Sequence, residues 1–189
     1  MIDPASLAFD IDGVIADTMT LFLDIARTEF GIEHVGYDDI TSYTLEECLN
    51  LDPAVVQAVV ARLLDGSYEG TLHSLPGAAR VLTRIGRRTH GLVLVTARPH
   101  PGPMSGWITD LLKPAQTPFE IVATGSFDTK AEVLRQRRIS HFVEDRLETC
   151  FLLHSAGIAP VLFKQPWNRA RHPFVEVDSW TALEKLIDF

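Results

Sequence analysis

Asp10 and Asp12 stand on either side of Ile11 and lead into Gly13, with Asp17 a few positions on. Three carboxylates so close together, directly behind the apolar run Leu7-Ala8-Phe9, are costly to hold unless a cation offsets them. Alternate residues of an extended chain leave on the same side, so Asp10 and Asp12 share a face. A turn at Gly13 can bend both over one point. A hard, oxygen-seeking cation such as Mg2+ suits that donor set. Taken alone, the segment also reads as a solvated acidic turn.

Three further stretches end an apolar run, or open a helix, with groups of the same kind. Thr96 closes Leu92–Val95 and is followed by Ala97 and Arg98, giving a hydroxyl and consecutive backbone N–H groups suited to phosphate oxygens. Lys130 follows Asp128-Thr129 at a helix start, where a cation opposes the helix dipole; an anion to serve is one explanation, a solvated surface lysine the other. Glu144 and Asp145 close His141-Phe142-Val143. Asp145 is then available to the cation of Asp10, while Glu144 either reaches the metal through water or supports it from behind. Arg146 either neutralises this pair or opens the next helix. Each stretch alone has an ordinary structural reading. The ordered set of double carboxylate, hydroxyl, lysine and second double carboxylate points to phosphate chemistry.

The elements that must position these groups follow from hydrophobic pattern and punctuation. Short apolar runs at Leu7–Ile11, Leu92–Thr96, Phe119–Ala123, His141–Asp145 and Ala159–Phe163 read as buried strands, with Phe174–Val177 an edge strand. Helical spacing covers Asp17–Phe30, a stripe behind Asp52-Pro53 closed by Gly66, and Pro76–Ile85. It returns in Met104–Leu112, Thr129–Arg138, the stretch up to Ser155, and a terminal helix marked by Trp180, Leu183, Leu186 and Ile187. Thr44 and Glu47 have capping-box spacing. Alternating strand and helix predicts an α/β fold: a three-layer, Rossmann-like parallel sheet with helices on both faces. Residues 17–72 are helical without a strand, so the fold is expected to divide into a core of 1–16 and 73–189 and a small helical cap of 17–72 inserted after the first strand.

Composition bounds the function. The chain has 189 residues, 46% of them hydrophobic and 22% charged, enough for one packed core with a modest insert. A net charge of −8 disfavours a nucleic-acid polymer or an anionic membrane as partner, without excluding a small phosphorylated metabolite. No basic leader opens the chain and no apolar stretch has spanning length. The two cysteines, Cys48 and Cys150, allow neither a disulfide framework nor a Cys-rich metal site, and a reducing, cytoplasmic location is expected.

These motifs together resemble the haloacid dehalogenase (HAD) superfamily of phosphohydrolases. Its hydrophobic-DxDG start stands as FDIDGVIAD, its second motif as LVLVTAR, its lysine as Lys130 and its fourth motif as FVED. A narrower likeness, carried by DIDGVIAD, TARP and FKQPWNR, is to bacterial 5′(3′)-deoxyribonucleotidase-like proteins, although Ile11 stands where Met is usual there. The resemblance implies Asp10 as nucleophile, Asp12 as general acid and base, and Thr96 and Lys130 stabilising the transferred phosphoryl group. It implies Mg2+ on the Asp10 carboxylate, the Asp12 backbone and Asp145, with Glu144 beside them. Gly13 and Ala97 would offer backbone amides, Arg98 an anion contact, and Phe22 and Tyr43, with Tyr68 and Trp107 as further candidates, aromatic walls for a nucleoside monophosphate. Phosphoglycolate or a sugar phosphate is the alternative substrate, a non-catalytic Mg2+- or nucleotide-binding regulator the alternative role, and a homodimer the oligomer that fits.

Overall fold

A computed structural model describes all residues, 1–189. Six strands form one sheet: β1 (Leu7–Phe9), β2 (Leu92–Thr96), β3 (Phe119–Ala123), β4 (His141–Glu144), β5 (Ala159–Phe163) and β6 (Val175–Val177). They lie side by side in the order β3-β2-β1-β4-β5-β6, and every pairing is parallel. The fold is the expected Rossmann-like α/β layout. Its strand order reverses direction at β1, which opens a crevice beyond the carboxyl ends of the neighbouring strands. In register, Phe9 of β1 faces Val143 of β4 on one side and Leu94 of β2 on the other. The residues that follow each of these three are therefore delivered to one rim.

The helices are α1 (Thr18–Phe30), α2 (Leu45–Cys48), α3 (Pro53–Asp65), α4 (Ala78–Gly86), α5 (Gly102–Leu112), α6 (Lys130–Gln136), α7 (Leu147–Ser155) and α8 (Trp180–Glu184). The first three follow β1 without an intervening strand. Ala16 bridges to Ser74, which brings the start and end of this helical stretch together. Asp52 caps α3 by accepting from Ala54 N, Pro53 fills the first helical position, and Gly66 stops the helix at φ 80°. The third carboxylate of the opening motif also belongs to a helix: Asp17 accepts from the backbone and hydroxyl of Thr20 as the cap of α1. Glu47 does not complete a capping box with Thr44; it accepts from the Ser42 hydroxyl, which itself accepts from Thr44 N.

One large apolar cluster runs from the sheet into α1, α3 and α4. Trp180 is fully buried in it, stacks on Phe9 at 5.5 Å and donates its indole N–H to Val14 O at 2.8 Å. The sequence predicts a terminal helix through Ile187, but α8 ends at Glu184 and Ile187 pairs with Ile2 instead. No helix is long and apolar enough to cross a membrane.

Candidate active site

Asp10, just beyond β1, is 4% exposed and lies at the floor of a cavity of about 570 Å³. One of its carboxylate oxygens accepts from Ile11 N at 2.7 Å, the other from Lys130 Nζ at 2.6 Å. Lys130 is the first residue of α6 and fully buried, and it also donates to Glu144 at 2.8 Å. Its unfavourable place at a helix start is offset by two buried acids rather than by solvent. Burial works against its charge, but Asp10 and Glu144 outweigh it and raise its pKa.

Glu144 ends β4 with both oxygens engaged: one accepts from Lys130, the other from the backbone N–H groups of Asp145 and Arg146. Burial pushes its pKa up, but Lys130 and these hydrogen bonds prevail and hold it below the usual value. Asp145 accepts from the Trp167 indole at 3.0 Å, and its backbone carbonyl accepts from Asn168. Ligand atoms of Asp10, Glu144 and Asp145 all lie within 4.8 Å of one another. Three buried carboxylates thus face one lysine. Burial first, and then the neighbouring acids, drive the pKa values of Asp10 and Asp145 well above the usual range. An excess of buried oxygen ligands over positive charge is the donor chemistry that fits a hard divalent cation.

Gly13 makes this convergence sterically feasible. Its φ is 70°, and a Cβ there would overlap the Asp145 carboxylate. Gln165 donates to its carbonyl at 2.7 Å and accepts from the Tyr37 hydroxyl at 2.9 Å. The loop Gln165–Asn168 therefore ties the first motif and Asp145 to the helical insert.

Asp12 is held differently. Arg98 donates to both its oxygens, Nε at 2.9 Å and Nη2 at 2.8 Å, and Thr18 donates at 2.8 Å. Burial raises its pKa, yet the guanidinium and the Thr18 hydroxyl outweigh burial and lower it. Sequence alone assigns Arg98 to anion contact, but its third guanidinium nitrogen donates to Leu63 O at 3.0 Å, so the side chain is committed to Asp12 and the end of α3. Thr96 is buried at the end of β2 and its oxygen accepts from Arg98 N. Thr96 and Ala97 both line the cavity.

The aromatic candidates separate. Tyr43 lines the cavity; Phe22 is fully buried in the core and does not, because it lies on the inward face of α1. Trp107 donates to Leu72 O, and Tyr68 lines a different surface depression. Two aromatic residues that sequence reasoning gave no role, Phe127 and Trp167, reach the cavity from core loops. Phe127 meets Tyr43 edge-on at 5.6 Å, and the Arg146 guanidinium lies 4.3 Å from the Phe127 ring centre. Their usable signals are adjacency to motif residues: Phe127 precedes Lys130 by three positions, and Trp167 lies within FKQPWNR. The rest of the cavity is mainly aliphatic, with Met19, Ile40, Val60 and Leu64 among its walls.

The family model described as 5′ nucleotidase, deoxy (pyrimidine), cytosolic type C protein matches residues 4–189. No curated protein matches the sequence. Among solved structures, a HAD-superfamily hydrolase from Ehrlichia chaffeensis aligns with a TM-score of 0.57 at 13% identity, over 98% of this chain and 97% of that one. A Lactobacillus plantarum protein provisionally described as a phosphoglycolate phosphatase aligns at 0.62 and 13% identity, over 98% and 99%. CbbY from Rhodobacter sphaeroides, solved with phosphate, aligns at 0.56 and 17% identity, over 94% and 95%. The chain belongs to the cytosolic type C 5′ nucleotidase family, built on the fold of the HAD-superfamily phosphohydrolases.

Proposed function

We propose that this phosphatase-family chain hydrolyses (deoxy)nucleoside monophosphates, with Mg2+, through an aspartyl-phosphate on Asp10. The carrying observation is Asp10 itself: a buried carboxylate, bonded to Lys130, at the floor of a largely apolar cavity. One Asp10 oxygen attacks phosphorus, the ester P–O bond breaks, and Asp12, which first takes up a proton against the hold of Arg98 that favours its ionised form, gives that proton to the leaving nucleoside oxygen. Water then attacks phosphorus, Asp12 takes its proton, and the acyl-phosphate bond breaks to release phosphate. Thr96, Lys130 and the amide at Ala97 stabilise the equatorial oxygens, whereas the Gly13 N–H, which the resemblance also offered, is spent on Ala16 O at 3.0 Å within the turn. Asp10 and Asp145, with the Asp12 backbone carbonyl, hold the cation, and Glu144 fixes Lys130. Bound there, Mg2+ offsets the buried acids and the phosphate charge. Residues 17–72 serve as the cap that encloses the leaving group.

The cavity supports a nucleoside over glycolate. Its aliphatic walls, with Tyr43 and Phe127, suit a flat, uncharged leaving group. Phosphoglycolate brings a second anion, and the one arginine lining the cavity is already paired to Asp12. A panel of phosphomonoesters assayed with and without Mg2+ tests this reading. dUMP and dTMP are expected to lead the panel, with turnover lost on chelation. Asp10→Asn is expected to lower kcat by about a thousandfold or more while leaving the fold intact. A lead by phosphoglycolate or sugar phosphates overturns the substrate, and wild-type turnover in Asp10→Asn overturns the mechanism.

A further inference from the structure

One guanidinium bridges the opening acidic motif and the end of α3. Arg98, 7% exposed, chelates both oxygens of Asp12 and donates to Leu63 O in the last turn of α3. That carbonyl belongs to the end of a helix, where four acceptors lack an intrahelical donor and the dipole is negative. The N–H that would close on Leu63 is Ser67 N, and it bonds instead to Asp65 at 2.8 Å. Arg98 therefore caps α3 from the core. The same contact is close-packed: Gly66, just after α3, lies against Pro103, where a Cβ would come within 2.7 Å of the Pro103 ring. The planar fork of arginine fits this three-way bridge, and a lysine ammonium cannot span it.

We propose that Arg98 is a positioning residue that couples docking of α3 to the orientation of Asp12. With the helix end docked, the guanidinium is fixed and holds the Asp12 carboxyl in one rotamer. With the helix end displaced, Arg98 loses a partner and Asp12 loses its bidentate support. The catalytic half of this inference rests on the proposed phosphatase reading, whereas the coupling itself does not.

Arg98→Met and Arg98→Lys test it, with Asp12→Asn as the partner variant. Hydrogen exchange of the metal-free chain is expected to quicken about tenfold in residues 53–66 for Arg98→Met, with β2 and β4 unchanged. Asp12→Asn is expected to quicken the same segment, and the double variant to add little to either single change. For turnover, Arg98→Met is expected to lower kcat about a hundredfold while KM and inhibition by inorganic phosphate stay within about threefold. Added guanidinium should restore part of that kcat, and Arg98→Lys should behave like Arg98→Met. Unchanged exchange in 53–66, or additive exchange effects, overturns the coupling. A rise in KM and in the phosphate inhibition constant with kcat preserved makes Arg98 a phosphate ligand and overturns the positioning role. If Arg98→Met does not fold, Arg98→Lys carries both measurements. If the wild type turns over no phosphomonoester, the phosphatase reading fails, and the exchange cycle still decides the coupling.

Discussion

The most consequential single side chain is Lys130, because it is the only cation bonded to Asp10 and Glu144. Its removal leaves two buried acids with backbone hydrogen bonds but no cationic partner. Breaking a buried pair in this way costs about 3–5 kcal/mol, more than an exposed pair is ever worth. Lys130→Met, which keeps the bulk of the stem, is expected to lose about that much in urea unfolding at neutral pH. Glu144→Gln in the same chain should return part of the loss, since it takes away one of the stranded charges. A Lys130→Met protein as stable as wild type would mean that the acids are not charged beside it. The lysine was legible from sequence as a residue out of place against its helix dipole. Its partners were not, because hydrogen bonding across the distant ends of β1 and β4 leaves no local pattern. The same limit explains Arg98: an arginine two residues past a strand end looks like an anion contact until Asp12 and Leu63 are seen on its two sides.

At the scale of elements, the turn after β1 decides whether the acids can meet. β1 is only three residues long and pairs in register with β4, so Asp10 and Asp145 arrive on neighbouring strand ends. Gly13 then lets the turn pass against Asp145. Gly13→Ala meets both a positive φ and the Asp145 carboxylate, so the turn or the acid must move. Calorimetric Mg2+ titration of this variant is expected to give affinity at least about tenfold weaker than wild type, with its far-ultraviolet spectrum unchanged. Equal affinity would show that the turn does not govern the acid cluster. The parallel sheet itself was legible, because strands covered on both faces are written as apolar runs between turn residues. Helix ends were less so. Thr44 lost its expected cap partner to Ser42, and Leu186 and Ile187 fall beyond α8 although their spacing is helical. Phe127 comes from a loop and Trp167 from a single 3-10 turn, Pro166–Asn168, both too short for periodicity to mark which way a side chain faces.

For the molecule as a whole, the acid cluster makes stability, metal binding and pH one problem. The chain is already net acidic, and its most buried charges are also predominantly negative. Asp10 and Asp145 have folded-state pKa values well above the ordinary carboxylate value, chiefly through burial and then through mutual repulsion among the acids, with Lys130 pulling the other way. At these two positions the metal-free folded state therefore binds more protons than the unfolded chain. The stability these two acids contribute is fully present below about pH 4, where unfolded aspartates are protonated, and is lost as pH rises through their raised folded values, whereas Asp12 and Glu144, held below the usual value, act in the opposite sense. A divalent cation binds the deprotonated acids, so protons compete with it at the low end of that window and not at the high end. The Mg2+-dependent rise in Tm should accordingly be larger at about pH 8 than at about pH 5. At a hundredfold excess over Kd the stabilisation is about 2.7 kcal/mol, which for a chain of this size corresponds to roughly 5–10 °C. Thermal scans with Mg2+ and with chelator across that range measure it directly. Asp145→Asn should flatten the dependence, because it removes one of the two raised groups and a proposed metal ligand together. A Mg2+ shift of the same size at both pH values would mean that these carboxylates are already ionised without metal, and that Lys130 alone suffices to balance them.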